Sequence, residues 1–502
     1  MGNLRTVWKS PIVWILLLPA IYFFLRLTHL TLLPIFTDEA IYIRWSQIGG
    51  SDASWRFISL TDGKQPLFTW LAMVSLRIFR DPLFAGRFVS VMAGYVSMIG
   101  IYFLASELFK NKRVGLLSSI LYLLSPFTLM YDRLALYDSL VATFFIWNLY
   151  ISILLIRKIR LDVALIFGLT LGVGMLNKSS AFFSLYLLPT TILLFDWGQK
   201  KRVHRLAKWI ALCILAAVLS QFVYAILRLS PYFYIISQKD ALFVYPFKEW
   251  IHHPFDSLYG NFHGLFDWLI TYLTWPVFIA ALASFLLFFK KPLEKILLFG
   301  QWFGPFFALA LFGRVLYPRF VLFMAMPLLV LAAYTVDWIL TSFSSKFIKI
   351  CLIALIFLPA IVLSYQILTD ITHAPIAKGD IGQLVNDWPS GWGTPQVVAF
   401  LKSQSQHKKI AVYTEGTFGL FPYALEIYSV GNNNIKIFGL YPLPLKLPDQ
   451  MRASAMIEPT FFVENLTQTP PDWPLKLLAT YQKGSNISSA MRLYQVTLPK
   501  EK

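Results

Sequence analysis

Between residues 11 and 368 the chain passes through one long apolar run after another, and the short gaps between the runs hold most of its lysines and arginines. Most of these runs approach or reach the roughly 17 to 25 residues that a helix needs to cross a bilayer. A soluble fold has no interior large enough for them: 57% of the residues are hydrophobic and 14% are charged, against roughly 25% charged in ordinary soluble domains. The pattern predicts an all-α polytopic membrane protein. The formal net charge of +18 follows from basic loops on one side of the membrane, so nucleic acid is not an expected partner. Cys213 and Cys351 both fall in apolar runs and offer neither a disulfide framework nor a thiolate metal site.

The basic clusters orient the runs. The first run, 11–27, follows Arg5 and Lys9 and has no small-residue cleavage site after it, which predicts a retained first span with the amino end in the cytoplasm. Further crossings are expected at 82–108, 114–130, 139–156, 163–176, 181–195, 209–227, 265–289, 297–312, 320–340 and 352–368, with 66–79 as a half-buried interfacial helix. That makes about 11 to 13 transmembrane helices in a multi-pass protein of the cytoplasmic membrane. The expected domains are a membrane domain, 1–370, whose first external loop covers 29–66, and an extracytoplasmic α/β domain, 371–502. In the latter, 394–402 reads as a helix, and 410–414, 435–438, 460–463 and 492–496 read as strands. The glycosylation acceptor patterns at Asn465 and Asn486 are too short to carry a role.

This topology collects Asp38, Glu39, Lys64, Asp132, Arg133, Asp138, Lys178, Arg314 and Arg319 at one face, each near the end of an apolar run. Carboxylates and cations gathered there suit a substrate that is anionic and partly lipidic: a carboxylate takes a proton from an attacking hydroxyl, and cations stabilise the charge on a departing phosphate. Several of these residues also have a plainer reading, Arg314 and Arg319 less readily because they stand against the positive-inside trend. Asp38 and Glu39 match a helix N-terminal pair favoured by the macrodipole, Lys64 a snorkelling lysine, and Asp138 a partner for Arg133. His252, His253 and His263 leave a divalent metal open as a cofactor, although their spacing matches no strong metal motif.

In order along the chain, Asp38-Glu39 after the first span, KQPLFTW from Lys64, RLALYD from Arg133 to Asp138, GLTLGVGMLNKSS around Lys178, and YPRF around Arg319 resemble the GT-C glycosyltransferases of the protein O-mannosyltransferase and aminoarabinose-transferase type. The resemblance covers about residues 10 to 370 and is more specific in its first half. It implies a GT-C fold and an inverting transfer of a sugar from a polyprenyl-phosphate donor to a protein, lipid or glycan acceptor on the external face. It further implies Asp38 as the catalytic base, Glu39 and Asp138 in support of it or of the acceptor site, and Lys64, Lys178 and Arg319 as donor-phosphate ligands; from their place at the same face, Arg314 is a further candidate for the phosphate and Arg133 a supporting residue. Two positions depart from the family pattern. Gln65 stands where proline is common, and Gly63 stands where aminoarabinose transferases have a glutamate that resembles a metal ligand. The alternative from another class is a transporter or lipid flippase, for which paired repeats and charge near the membrane midplane are expected; no clear repeat is present.

Overall fold

The computed structural model describes residues 11–287, 289–465 and 472–498. Arg5 and Lys9, and Leu466 and Thr467 of the first acceptor pattern, lie outside the described residues. The chain divides into two compact units. One comprises residues up to Thr28 together with Arg56–Trp70 and Phe88–Ala377; the other comprises His29–Trp55, Leu71–Arg87 and the residues from Lys378 onward.

The first unit is helical. Among the described residues, six helices are long and apolar enough to cross a membrane, or seven if a bent pair counts as one span, and four shorter apolar helices accompany them. This is a multi-pass membrane protein. Pro318–Ser342 is 89% buried within its apolar window and forms the centre, whereas Lys346–Thr369 and Arg202–Leu229 are only 17% and 22% buried. The central helix packs against Lys112–Leu124, Asp138–Lys158, Trp275–Ala283 and Pro292–Phe312. The outer helices turn their large apolar side chains, such as Phe222 and Leu355, away from the protein, as a lipid-facing helix must.

Three of the expected runs take a different form. Run 114–130 is not one span but two helices, Lys112–Leu124 and Pro126–Tyr131, separated at an extended Ser125; a residue before proline is pushed out of the helical region. Run 265–289 falls within a pair, Leu258–Leu273 and Trp275–Leu287, bent by 99°. The bend is made at Thr274, whose φ is 68°, with Pro276 in the first turn of the helix that follows. Run 181–195 is a series of short 3₁₀ and α pieces from Ser179 to Leu194.

The GLTLG segment has a packing reason. A Cβ on Gly168 would come within 2.8 Å of the Ala216 carbonyl oxygen, and one on Gly172 within 2.5 Å of Val223 Cβ. Two glycines four residues apart thus let Leu161–Met175 lie close along Arg202–Tyr224, the small-residue packing that apolar helices use in place of a hydrophobic driving force. Lys178 begins the next segment.

The second unit is built on a five-stranded sheet of order β2-β1-β3-β5-β4, in which β1 is Ile410–Glu415, β2 Ile435–Leu440, β3 Thr460–Glu464, β4 Leu475–Lys483 and β5 Asn486–Val496. β1 pairs in parallel with β2 and β3, and β5 runs antiparallel to β3 and β4. β1 and β3 are buried along their whole length and read as continuous apolar runs, as strands covered on both faces do. The edge strand β4, largely exposed, is the strand that apolar pattern alone does not reveal. The expected helix at 394–402 is observed as Thr394–Gln404.

Candidate functional site

Asp38 and Glu39 open the helix Thr37–Ser51, which belongs to the second unit. The two carboxylates have different surroundings. Glu39 is fully buried and takes two bonds from one guanidinium, Arg87 Nε to Oε1 and Arg87 Nη2 to Oε2, both 2.7 Å. Arg87 spends its other donors on the carbonyls of Leu30, Leu33 and Pro34, and the Phe36 N–H donates to Glu39 Oε2 at 3.3 Å. Glu39 therefore closes the helix N-terminus and fixes the turn that leads into it. Asp38, one position earlier and half-buried, lies in the same first turn, where the helix dipole favours negative charge. The helix is anchored to distant parts of the same unit: the Thr37 N–H and hydroxyl both donate to the Pro389 carbonyl, Arg44 Nε lies 2.6 Å from Glu426, and Gln47 donates to the Ile427 carbonyl.

The first unit carries a group of opposite charges. Asp138 begins the helix Asp138–Lys158; Lys178 Nζ donates to its Oδ1 at 2.6 Å, and Arg319 Nε lies 3.9 Å from its Oδ2. Lys178 also sits 4.3 Å over the Phe320 ring, and Arg319 4.5 Å over Tyr317. Next to Lys178, the Ser179 hydroxyl accepts from Gln65 at 2.7 Å and donates to Asp240 Oδ2 at 2.8 Å. Burial raises the Asp240 pKa, while the Ser179 hydroxyl and the charges of Lys64 and Lys178 oppose the rise. Lys64 lies 5.1 Å over Phe243, three residues beyond Asp240. Lys64, Lys178 and Arg319, far apart in sequence, thus share one neighbourhood with the carboxylates of Asp138 and Asp240.

Backbone shape puts Lys64 there. Gly63 has φ +66°, and a Cβ on it would stand 2.5 Å from Lys239 Cβ and 2.8 Å from the Ile235 carbonyl oxygen. The glycine at the position of the family's glutamate is required by this close approach. Lys239 Nζ pairs with Asp62 at 2.6 Å, the Leu67 N–H donates to the Leu176 carbonyl, and Asn177 Nδ2 donates to the Tyr137 carbonyl at 3.0 Å. The segments around 64, 138 and 178 are therefore joined by backbone as well as by charge.

Other singled-out residues are engaged elsewhere. Arg133 Nη1 donates to the carbonyls of Leu25, Arg26 and Thr28 at 2.8 to 2.9 Å, closing the end of Pro11–Leu27. Asp132 is buried with Arg26, Tyr22, Tyr122 and Ser139. Arg314 pairs with Glu249 at 3.4 Å in an exposed position. His253 packs edge-on against Tyr245, His252 and His263 are exposed, and among the described residues no three His, Cys, Asp or Glu side chains gather as metal ligands. The residues present do not fit a divalent metal held by the usual three protein donors. Sequence reasoning missed Arg87 and Asp240. The signal for Asp240 was an acid in the aromatic stretch between the runs 209–227 and 265–289; Arg87 had none, because it lies inside an apolar helix.

Residues 63–224 match the family described as dolichyl-phosphate-mannose-protein mannosyltransferase, a stretch that includes Lys64, Asp138 and Lys178. The undecaprenyl phosphate-alpha-4-amino-4-deoxy-L-arabinose arabinosyl transferase of Aeromonas hydrophila is 28% identical over 212 residues, 40% of this chain and 38% of that protein. The protein of the same name from Pseudomonas aeruginosa is 31% identical over 193 residues, 36% of this chain and 34% of its own. The chain thus spans between a third and two fifths of the length of these curated relatives. In structure the likeness is longer. The crystal structure of ArnT from Cupriavidus metallidurans bound to undecaprenyl phosphate superposes with a TM-score of 0.59 over 97% of this chain and 98% of that one, at 13% identity. The apo state of the same protein gives 0.58. Similar to mannosyltransferases and aminoarabinose transferases in its earlier half and to ArnT in architecture from end to end, the chain is a multi-pass membrane protein with the GT-C fold.

Proposed function

We propose that this protein is a membrane glycosyltransferase that moves a sugar from a polyprenyl-phosphate donor to a protein, lipid or glycan acceptor at the outer face of the cytoplasmic membrane, with its amino end in the cytoplasm. The observation that carries the reading is the group formed by Lys178 and Arg319 around Asp138, with Lys64 beside Asp240. Cations held at fixed positions by carboxylates are pre-organised for a phosphate and need little rearrangement when charge develops.

In this reading Lys64, Lys178 and Arg319 receive the donor phosphate, and Asp138 and Asp240 hold the cations in place before it arrives. Asp38 takes the proton of the acceptor hydroxyl as its oxygen bonds to the anomeric carbon. The bond from that carbon to the phosphate oxygen breaks in the same displacement, the configuration inverts, and polyprenyl phosphate leaves with the electron pair. Glu39 is a positioning residue: through Arg87 it fixes the turn that presents Asp38. Arg314 and Arg133 act through Glu249 and through the end of the first helix, not on the donor.

The test is transfer of radiolabelled sugar from a panel of polyprenyl-phosphate sugars in membranes that hold either the wild type or Asp38→Asn. Label leaving a donor only with the wild type supports the reading. Equal turnover by Asp38→Asn, with both proteins inserted to the same level, removes Asp38 as the base.

A further inference from the structure

Beyond the carboxyl ends of its parallel strands, the second unit opens a cleft of about 780 Å³. Open α/β sheets bind ligands at that end, where the strand order reverses. Here β2 lies on one side of β1, and the chain crosses back to place β3 on the other. Glu415 ends β1, Tyr441 follows β2 and Asn465 follows β3, and all three line the cleft.

The lining has two levels. At the lip, Trp388, Phe418 and Tyr441 expose 52%, 50% and 69% of their surface, a large cost for aromatic side chains in a domain with its own core unless something covers them. Beneath them, Glu415, Asn465 and Lys483 are almost wholly buried. The Asn465 N–H donates to Glu415 Oε2 at 2.7 Å, and its Nδ2 donates to the Trp388 carbonyl at 2.8 Å. Lys483 Nζ donates to Asn465 Oδ1 at 2.6 Å and to the carbonyls of Trp388 and Asp387 at 3.3 and 3.4 Å. A buried polar network thus grips the backbone of Asp387 and Trp388 from below, and the indole stands at the lip already held in place. Gly416, with φ +105°, turns the chain away immediately after Glu415, which brings Phe418 to the same lip.

Rings set over polar groups suit one ligand chemistry. The C–H faces of a sugar lie against aromatic rings, and its hydroxyls donate to carboxylates and exchange hydrogen bonds with amides and with serine hydroxyls such as those of Ser488 and Ser489. The charge lining the cleft is that of Asp387 and Glu415, while the cation below, Lys483, is turned to its own partners, so an acidic ligand is disfavoured. We propose that this cleft is a carbohydrate-binding site for hydroxyl-rich saccharides without acidic substituents. Binding there does not rest on the transfer reaction proposed above.

The test uses the full chain in lipid nanodiscs free of glycoside detergents, titrated calorimetrically with cellotetraose, mannotetraose, chitotetraose and tetragalacturonate. At least one of the three neutral oligosaccharides binds saturably, and tetragalacturonate binds at least about tenfold more weakly. Trp388→Ala and Tyr441→Ala, both at exposed positions, each weaken the neutral ligand at least about fivefold without lowering the melting temperature. The proposal is overturned if none of the neutral probes binds, if the acidic one binds as well as they do, or if both variants keep wild-type affinity. Glycosyl transfer measured on the same preparations separates the two readings: saccharide binding without transfer removes the enzyme reading alone, and transfer without saccharide binding removes this one alone.

Discussion

Lys178 Nζ lies 2.6 Å from Asp138 Oδ1 across forty positions of sequence, and Arg319 approaches the other oxygen of the same carboxylate. A carboxylate shared by two cations presents a phosphate with donors whose directions are already set. Lys178→Met is therefore expected to lower kcat/KM for donor consumption by about 10²- to 10³-fold, the usual cost of removing one pre-organised charge-stabilising donor. Arg314→Ala removes an exposed pair with Glu249 and a contact over the Tyr245 ring and is expected to change the rate by less than about fivefold. Initial rates for the two variants, side by side, check both statements.

Glu39 and Arg87 form a buried bidentate pair. Glu39→Ala leaves the buried Arg87 guanidinium without its carboxylate and is expected to cost about 3 to 5 kcal/mol of stability, and Glu39→Leu with Arg87→Met is expected to recover little of it, because the carbonyls of Leu30, Leu33 and Pro34 then lose the donors that Arg87 gives them. Melting curves of the detergent-solubilised single and double variants check both statements. A Glu39→Ala protein with unchanged melting and lost activity would return Glu39 to a chemical role.

Gly63 occupies a left-handed conformation where a Cβ would strike Lys239 and the Ile235 carbonyl. Gly63→Ala is expected to destabilise by at least about 1 kcal/mol, since the native φ and the space both reject it, and to raise the KM for the donor by displacing Lys64. Donor saturation curves provide the check.

Burial lowers the Lys483 pKa to about 7, against the opposing pull of Glu415 and Asp387, while an unfolded lysine titrates near 10.4. Between about pH 7 and 10 the unfolded chain binds a proton that the folded residue does not, so stability of this region rises with pH across that window by up to about 1.4 kcal/mol per unit. Below pH 7 the penalty is fully present. Hydrogen exchange of the β5 amides in the full chain should slow accordingly, once corrected for the intrinsic pH dependence, and Lys483→Met should flatten the profile.

What was legible in the sequence was what apolar length and charge encode. The long runs, the short helix expected at 66–79 and observed as Leu67–Ile78, and four of the five strands were readable because each is bounded by turn residues or charge. The segments carrying Lys64, Asp138, Lys178 and Arg319 were recognisable from their order along the chain. The breaks at Ser125 and Thr274 had written signals, a Ser-Pro and a Pro two residues on, but hydropathy averages over them. Arg87 was hidden for a different reason: its partner is 48 residues away, and an arginine inside an apolar helix looks the same whether it faces lipid headgroups or a buried glutamate. The engagement of Arg133 with the end of the first helix was invisible because it depends on carbonyls, which every residue has.

At the start of the helix that carries Asp38, the Thr37 N–H and hydroxyl donate to a carbonyl 352 residues further along, at Pro389. At synthesis rates of about 5 to 20 residues per second, that partner emerges roughly 20 to 70 seconds after the helix itself. The nascent chain therefore passes through a long interval in which the Glu39–Arg87 pair can hold the turn before this helix but its anchor at Pro389 is still missing. Synthesis as far as Pro389, and not insertion of the first spans, is what completes the seating of this helix.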